Sequence, residues 1–436
     1  MAAEGTVRAI VAIAIPSAAF TLLTNSYRIV NQYFIQDVSV SAQAAIGSSV
    51  FVLIMLYASS EVIAAGAGPL IARATGAGDT ESRRALFGEA LLGSLILTAS
   101  LMSVGIVGAP MIAHTLGLEG ATAVECVRYL RTLLWTLAPL VLTPLIDQAF
   151  LSMGNARLPL LLHAVSLGLN IILTPLLIHG AGLGIVGAAL ASNIAHGVAA
   201  TIGIVQLKRA MGLRWQDVRL RGQLRRIVRI GMPMALGTAV FAAVYWGMLK
   251  TTISPLGPHV NAALGIGFSA LEGFTWPVFH GVALGVASLV GRHLGAGRPD
   301  LAKRTIASAL PLSTLLGVSA TAVFFFAGSG LSGMFTNDLA VHREATQYAL
   351  ILAASQLVLA WEALTEGVLA GAGDTRTVFW CSMPFNLLRI PLAWLFAFPL
   401  GLGAAGVWWA INLTTYAKTG FKAWAVWRGK WTDIAL

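Results

Sequence analysis

The chain has 436 residues, 57% of them hydrophobic and only 11% charged, with a formal net charge of +10. A soluble domain averages about 25% charged residues. This composition, with a mean hydropathy of +0.79, excludes a soluble enzyme and a nucleic-acid-binding module, because a basic recognition face needs a soluble module to carry it.

Apolar runs of about 20 residues, the length a helix needs to cross a bilayer, recur along the whole chain. In chain order they lie at roughly 7–35, 43–67, 86–109, 124–152, 158–179, 184–207, 226–254, 259–288, 304–327, 343–370, 376–399 and 404–427, about twelve in all. The alternating pattern of an outer-membrane barrel is absent. The expected fold is therefore an all-α polytopic membrane protein. The first apolar run is too long for the core of a cleaved signal and continues into a full span. Most of the 28 Lys and Arg residues fall in the N-terminal stretch, in alternate loops and after the last span. Counting Lys418 and Lys422 among them, the positive-inside rule puts that side, with both termini, in the cytoplasm, and the protein in the plasma membrane. The expected organisation is residues 1–207 as one six-helix lobe, 208–225 as a basic linker, and 226–436 as the second lobe. The linker reads either as a segment lying on anionic headgroups or as a plain charged loop.

The two lobes are copies. Gly76-Ala-Gly-Asp79 recurs as Gly295-Ala-Gly-Arg298, and the same offset of 219 links Met153-Gly-Asn155 to Ala372-Gly-Asp374, Gly182-Leu-Gly184 to Gly401-Leu-Gly403, and Asn193 to Asn412. Six spans per copy make the halves parallel repeats about an axis along the membrane normal, as in transporters with a path between two pseudo-equivalent halves. The glycines at 76, 78, 295 and 297 are expected to supply left-handed backbone and close helix approach at helix–loop junctions. Pro16 and Pro233 sit at corresponding places in the first helix of each half, and Pro16 is a candidate hinge, with a static kink as the other reading.

No phosphate-cradling loop, nucleophile elbow or metal-ligand spacing is present. The chain is thus expected not to be an enzyme, to hold no cofactor, and to draw on an ion gradient or a partner. Cys126 and Cys381, in separate halves, read as packing residues.

Three stretches resemble the multidrug and toxic-compound extrusion (MATE) family: Gly281-Val-Ala-Leu-Gly-Val-Ala-Ser-Leu-Val-Gly-Arg-His-Leu-Gly-Ala-Gly-Arg298, Gly367-Val-Leu-Ala-Gly-Ala-Gly-Asp-Thr-Arg-Thr377, and Leu169-Asn-Ile-Ile-Leu-Thr-Pro-Leu-Leu-Ile-His-Gly180 with Gly184-Ile-Val-Gly-Ala-Ala-Leu190. The resemblance covers nearly the whole chain. It implies twelve helices in two six-helix lobes, a central cavity, and export of organic, cationic or amphipathic molecules against an inward flow of protons or sodium ions. The expected partners are a small-molecule substrate and membrane lipids, with no nucleic acid, and the chain is expected to act as a monomer.

The chemistry should lie in ionisable residues within the spans, since each costs several kcal/mol unless paired or hydrated. The acids are Glu61, Asp147, Glu272, Glu362 and Glu366, and the bases Arg28, Lys250 and Arg389. Asp147 and Glu366 share the 219 offset. Glu362 and Glu366 are one helical turn apart, close enough for one carboxyl to hold a proton near neutral pH. The other reading has Asp147, Glu362 and Glu366 pairing structurally with Arg157 or Arg376. Single histidines within spans, His163, His179, His196 and His280, read as hydrogen-bonded packing groups. Aromatic residues such as Tyr245, Trp246, Phe274, Trp276 and Trp361 either stack on a flat cation or face lipid.

The first lobe departs from the family pattern. The family's aspartate fifteen residues after the helix-1 proline is Asn31 here, and its Asp-Pro-Leu-Leu-Ile late in the fifth helix is Thr174-Pro-Leu-Leu-Ile178. Asn170 and Asn193 remain as neutral partners, and none of these side chains titrates. Coupling is therefore expected to move to Glu272, Glu362 and Glu366 in the second lobe. Arg28 is expected to pair with Glu61 or Asp147. Alternatively Arg28, Lys250 and Arg389 line an anion-friendly cavity, which would suit a lipid-linked precursor flippase or an exporter of anionic metabolites.

Overall fold

The computed structural model describes residues 7–35, 38–116 and 118–434. Among them all regular structure is helical. The first half consists of α1 (Val7–Ile35), α2 (Val40–Gly76), α3 (Thr80–Thr115), α4 (Gly120–Trp135 continued by Ala138–Ser152), α5 (Arg157–Gly180) and α6 (Gly184–Met211). The second half consists of α7 (Leu224–Leu256), α8 (Pro258–Ile266 continued through Glu272–Gly295), α9 (Pro299–Gly333), α10 (Leu339–Ala372), α11 (Thr375–Ala397) and α12 (Gly403–Trp427).

Ten of these segments are long and apolar enough to cross a membrane, and the bent pair that forms α4 makes an eleventh. The twelfth, α12, is long enough but more polar, because Asn412, Thr414, Thr415, Lys418, Thr419 and Lys422 all lie on its buried face. Hydropathy alone undervalues such a helix, since its polar groups are satisfied inside the protein rather than by lipid. Lys418 and Lys422 are therefore not in a cytoplasmic tail: both sit inside a spanning helix.

Shifting α10, α11 and α12 back by 219 places them over α4, α5 and α6, so the offset in the sequence is a repeat of whole helices. A detail of packing is duplicated with it. A Cβ on Gly187 of α6 would come within 2.7 Å of the Leu177 backbone, and one on Gly406 of α12 within 2.6 Å of the Phe396 backbone. Both glycines thus let the last two helices of a half meet backbone to backbone. Gly78 and Gly297 take left-handed conformations, with φ of 72° and 69°, as expected of turns after α2 and α8.

Contacts divide the chain into two compact units, one formed by Phe20–Ala235 and the other by the start of α1, up to Ala19, with Leu236 onward. The divisions fall inside α1 and α7. Each unit has its own core. In the first, Leu130, Leu133, Leu134 and Leu137 of α4 pack with Ala188 and Ala189 of α6. In the second, Tyr348, Phe324, Met248 and Trp408 meet.

One helix differs between the copies. α10 is continuous, but α4 bends by 53° between Trp135 and Ala138. Pro139 opens the second piece of α4, where a proline removes a backbone donor, and α10 carries Val358 at the corresponding position. The carbonyl of Leu133 freed at the break accepts from Asn193 Nδ2 at 3.2 Å, and the same nitrogen bonds the Thr136 hydroxyl.

The linker between the halves is folded against α3. Glu89, fully buried, accepts from the backbone N–H of Arg221 through Oε2 at 2.9 Å and from that of Leu224 through Oε1 at 2.7 Å. The second bond satisfies a free donor at the start of α7. Asp217 accepts from the Arg214 backbone at 2.9 Å and pairs with Arg221 at 3.3 Å. The linker is thus held by buried acceptors, which neither reading of its sequence included. Glu89 was legible as an acid inside the third apolar run.

Candidate functional site

Each lobe buries a polar cluster, and repeat positions set the two against each other. In the first lobe, α4 and α5 bring Asp147 and His163 together, with His163 Nε2 at 2.8 Å from Asp147 Oδ2. The other ring nitrogen of His163 lies 3.2 Å from the Thr24 hydroxyl of α1. Phe20 stacks on the His163 ring at 5.2 Å and 13°, and Tyr27 stacks on His196 of α6 at 4.5 Å and 17°. Beside the pair is a small cavity lined by Thr143, Asp147, His163, Ser166, His196 and Ala199, among others, with room for roughly one water molecule. Asp147 Oδ1 and His196 Nδ1 are buried with no hydrogen-bond partner among the described residues.

Adding 219 to the cavity residues gives a different chemistry in the second lobe. Thr143 becomes Glu362, Asp147 becomes Glu366, His163 becomes Ser382, Ala199 becomes Lys418, and nearby Gly203 becomes Lys422. These groups fill the space with an ion-pair network. Lys418 Nζ lies 2.9 Å from Glu362 Oε1, Lys422 Nζ lies 3.0 Å from the same oxygen, and Lys422 Nζ lies 2.6 Å from Glu366 Oε2. The expected pair of carboxylates sharing a proton is corrected: Glu362 and Glu366 share Lys422, and neither Arg157 nor Arg376 is their partner. Sequence reasoning missed both lysines because it assigned them to the C-terminal loop. Their four-residue spacing, matching that of Glu362 and Glu366, was the available signal.

The rest of the second-lobe site is arranged around Arg389 and Glu272. Arg389 of α11 is buried, donating through Nε to Thr414 Oγ1 at 3.0 Å, through Nη2 to Thr415 Oγ1 at 3.3 Å, and through Nη1 to the Tyr245 hydroxyl at 3.3 Å. Its guanidinium is thus held by hydroxyls. Glu272 follows a wide helical turn over Gly267–Leu271 in α8. Its Oε1 accepts from the Tyr348 hydroxyl of α10 at 2.8 Å. A Cβ on Gly267 would come within 2.3 Å of the Tyr348 ring, so glycine there is what admits the tyrosine. Such wide turns are frequent at functional sites. Lys250 is not part of this cluster: it is exposed, 5.4 Å over the Trp246 ring. Trp246, Phe274 and Trp276 are exposed as well, Trp361 donates to Thr314 Oγ1 at 3.0 Å, and only Tyr245 of the aromatic candidates enters the polar cluster.

The positions that depart from the family pattern form a neutral knot. Asn31 Nδ2 donates to Ser192 Oγ at 2.8 Å, Asn170 Nδ2 donates to the same oxygen at 3.2 Å, and Thr174 Oγ1 donates to Asn31 Oδ1 at 3.5 Å. Ser192 in turn donates to the Ala188 carbonyl at 3.1 Å. Asn193 stands apart from this knot, at the break in α4, and its copy Asn412 likewise donates to a backbone carbonyl, that of Ile351 at 2.7 Å. A role shared by both copies is that of a packing bond. Glu61 lies on α2, one turn after Tyr57. Pro16 lies within the continuous helix α1. The side chain of Arg28 lies outside the described residues, and the pairing expected for it lies there too. Cys126 and Cys381 are free thiols, as expected of packing residues.

Twelve spanning helices in duplicated halves, each burying ionisable groups at membrane depth, define a membrane transporter rather than an enzyme. A family model described as MatE matches residues 16–176 and again 233–395, once in each half. The chain belongs to the MatE family of membrane transporters. It is 26% identical over 410 residues to the multidrug export protein MepA of Staphylococcus aureus strain NCTC 8325, covering 93% of this chain and 90% of that one. It is 25% identical over 402 residues to MepA of Staphylococcus saprophyticus, covering 91% and 88%. Among solved structures it is similar to a MOP superfamily transporter from Pyrococcus furiosus, described as having a binding pocket of reverse polarity, with a TM-score of 0.91, 19% identity, and coverage of 98% and 97%. An outward-facing multidrug resistance MATE transporter matches with a TM-score of 0.91, 19% identity, and coverage of 99% and 98%.

Proposed function

We propose that this protein is a secondary efflux antiporter that exports organic, cationic or amphipathic compounds in exchange for inflowing protons or sodium ions, by alternating access of its two lobes. Membership of the family and the export role in the names of the MepA relatives support the efflux reading. The observation that carries it is the pair of buried ionisable clusters at one repeat position, Asp147 with His163 in the first lobe and Glu362, Glu366, Lys418 and Lys422 in the second. Ionisable groups inside a membrane helix bundle are costly, so they are functional-site candidates by default. With no phosphate-cradling loop in the sequence, an ion gradient is the natural energy source. The basic residues of the alternate loops support cytoplasmic termini and the plasma membrane as its site.

The test is transport by purified protein in proteoliposomes, with ethidium as a flat organic cation and with inward pH and sodium gradients imposed separately. Gradient-driven ethidium movement by either ion supports the reading, and none with either ion defeats it. The hydroxyl-held guanidinium of Arg389 favours one second reading, an anionic cargo. Movement of a phosphate-bearing amphiphile in place of ethidium would establish it.

A further inference from the structure

We propose that the His163–Asp147 pair, with the cavity beside it, is the proton-carrying site of the first lobe, and that the transported ion is a proton rather than sodium. This inference rests on the antiport reading above and names the ion and its carrier.

The geometry meets the needs of a proton carrier at each point. A group that loads and unloads a proton needs a partner in both states. The Thr24 hydroxyl supplies that partner, because its one proton has two acceptors in reach: the Phe20 carbonyl at 2.9 Å and His163 Nδ1 at 3.2 Å. Without a carried proton, neutral His163 donates Nε2–H to Asp147 and accepts at Nδ1 from Thr24. A proton taken from water adds to Nδ1. The ring then donates from both nitrogens, Nε2–H to Asp147 and Nδ1–H to Thr24 Oγ1, while the hydroxyl turns its own proton to the Phe20 carbonyl. Release returns the proton to water and turns the hydroxyl back. The tautomers follow from what each neighbour can donate, and the proton belongs to the pair rather than to one residue. Asp147 stays next to the ring throughout and offsets the imidazolium charge.

The surroundings favour a proton over a metal ion. Hard cations take shells of several oxygen ligands, whereas the cavity wall offers one carboxylate, the hydroxyls of Thr143 and Ser166, and two imidazole rings, which suit softer metals. The cavity has room for roughly one water molecule, enough for a proton donor and far too little for an organic substrate. Among the described residues the titratable groups nearest the pair are Tyr27 on α1, Tyr57 and Glu61 on α2, and His196 on α6. None of the neighbours is a described lysine or arginine that would pin Asp147 as an ion pair. The second lobe, at this same position, has two.

The experiment uses the proteoliposome assay with wild type, Asp147→Asn, His163→Gln and Thr24→Val, measuring ethidium movement driven by a pH gradient, driven by a sodium gradient, and as exchange with no gradient. The expected result is drive by pH in the wild type, loss of that drive in Asp147→Asn and His163→Gln, and retained exchange in both. Drive by sodium alone overturns this inference and leaves the antiport reading standing, while no drive in the wild type defeats the antiport reading itself. Retained pH drive in both substituted proteins also overturns it. Should these two proteins lose exchange or fail to fold, Thr24→Val decides. It keeps the ring, the carboxylate and the stack, and is expected to shift the pH midpoint of transport at an unchanged unfolding temperature. An unchanged midpoint overturns the proposal.

Discussion

The first lobe keeps a histidine, a carboxylate and a small cavity where the second lobe keeps two lysines and two glutamates. The two arrangements occupy one repeat position, so one helical scaffold supports either. The difference is made by a few side chains on the scaffold. Thr143 and Ala199 are small and line the cavity, whereas Glu362, Lys418 and Lys422 are long and meet one another. Ion pairs between full charges hold helices α10 and α12 together and are hard to discharge, because removing either partner strands the other in a dry interior. A histidine paired with an acid can change its charge while keeping its hydrogen bond to that acid. In this contrast the second lobe carries fixed ion pairs and the first lobe a hydrogen-bonded histidine–carboxylate pair.

The largest expected effect comes from breaking the anchor. Lys422→Met leaves Glu362 with Lys418 alone and the part-exposed Glu366 with no described lysine, and should destabilise the protein by about 3 kcal/mol, the low end for a broken buried pair. Thermal unfolding of the detergent-solubilised protein measures it, and Lys418→Ala should do less, since Lys422 still reaches Glu362 at 3.0 Å. If Lys422→Met unfolds like the wild type, the second lobe is not anchored by this network.

Next comes the close approach that places Tyr348. Gly267→Ala puts a methyl group into the tyrosine ring, and such overpacking typically costs about 1–3 kcal/mol. The same unfolding measurement checks it, and quenching of the buried Trp408, which meets Tyr348 edge-on at 4.8 Å, should change as the ring is displaced.

A smaller effect is expected from Glu272→Gln. The amide oxygen can still accept from Tyr348, so the loss is that of a charge-assisted bond becoming a neutral one, about 1 kcal/mol. Gradient-driven transport should persist. Loss of drive in a folded Glu272→Gln protein would return coupling to the second lobe, where the sequence alone had put it.

The smallest effect lies outside the membrane, at the turns before α3 and α9. In the first lobe Asp79 caps α3, its side chain accepting from the Ser82 N–H at 2.9 Å, while the corresponding residue of the second lobe is Arg298. Hydrogen bonds from the Ser82 side chain and backbone hold the Asp79 carboxyl below its ordinary 3.8. A group with a lowered folded value contributes stability above its unfolded value and loses it as pH falls through the folded one. The unfolding midpoints of wild type and Asp79→Ala should therefore differ slightly at neutral pH and converge once the pH drops below 3.8.

Particular residues show how far the sequence went. Twelve helices, their duplication, and the positions of Asp147 and Glu366 follow from composition and spacing, because bilayer thickness fixes helix length and a duplicated chain keeps its offset, while the family was legible as a resemblance of motifs. Neutralisation of the family's first-lobe aspartates was also legible, since Asn31 and Thr174 stand in its motifs. The partners were not. Lys422 lies 56 residues from Glu366 along the chain and His163 lies 16 from Asp147, and which helices meet, and at what height, is set by packing that no local pattern encodes. Lys418 and Lys422 looked like loop charges because positive-inside counting reads sign and spacing, not burial. The cavity beside His163 is lined by small residues from different helices, Thr143 on α4 and Ala199 and Ala200 on α6, that meet at one point. What the tertiary structure decided, then, is which buried charges are ion-paired and which carboxylate meets a histidine beside a cavity, since both depend on distances across helices rather than along them.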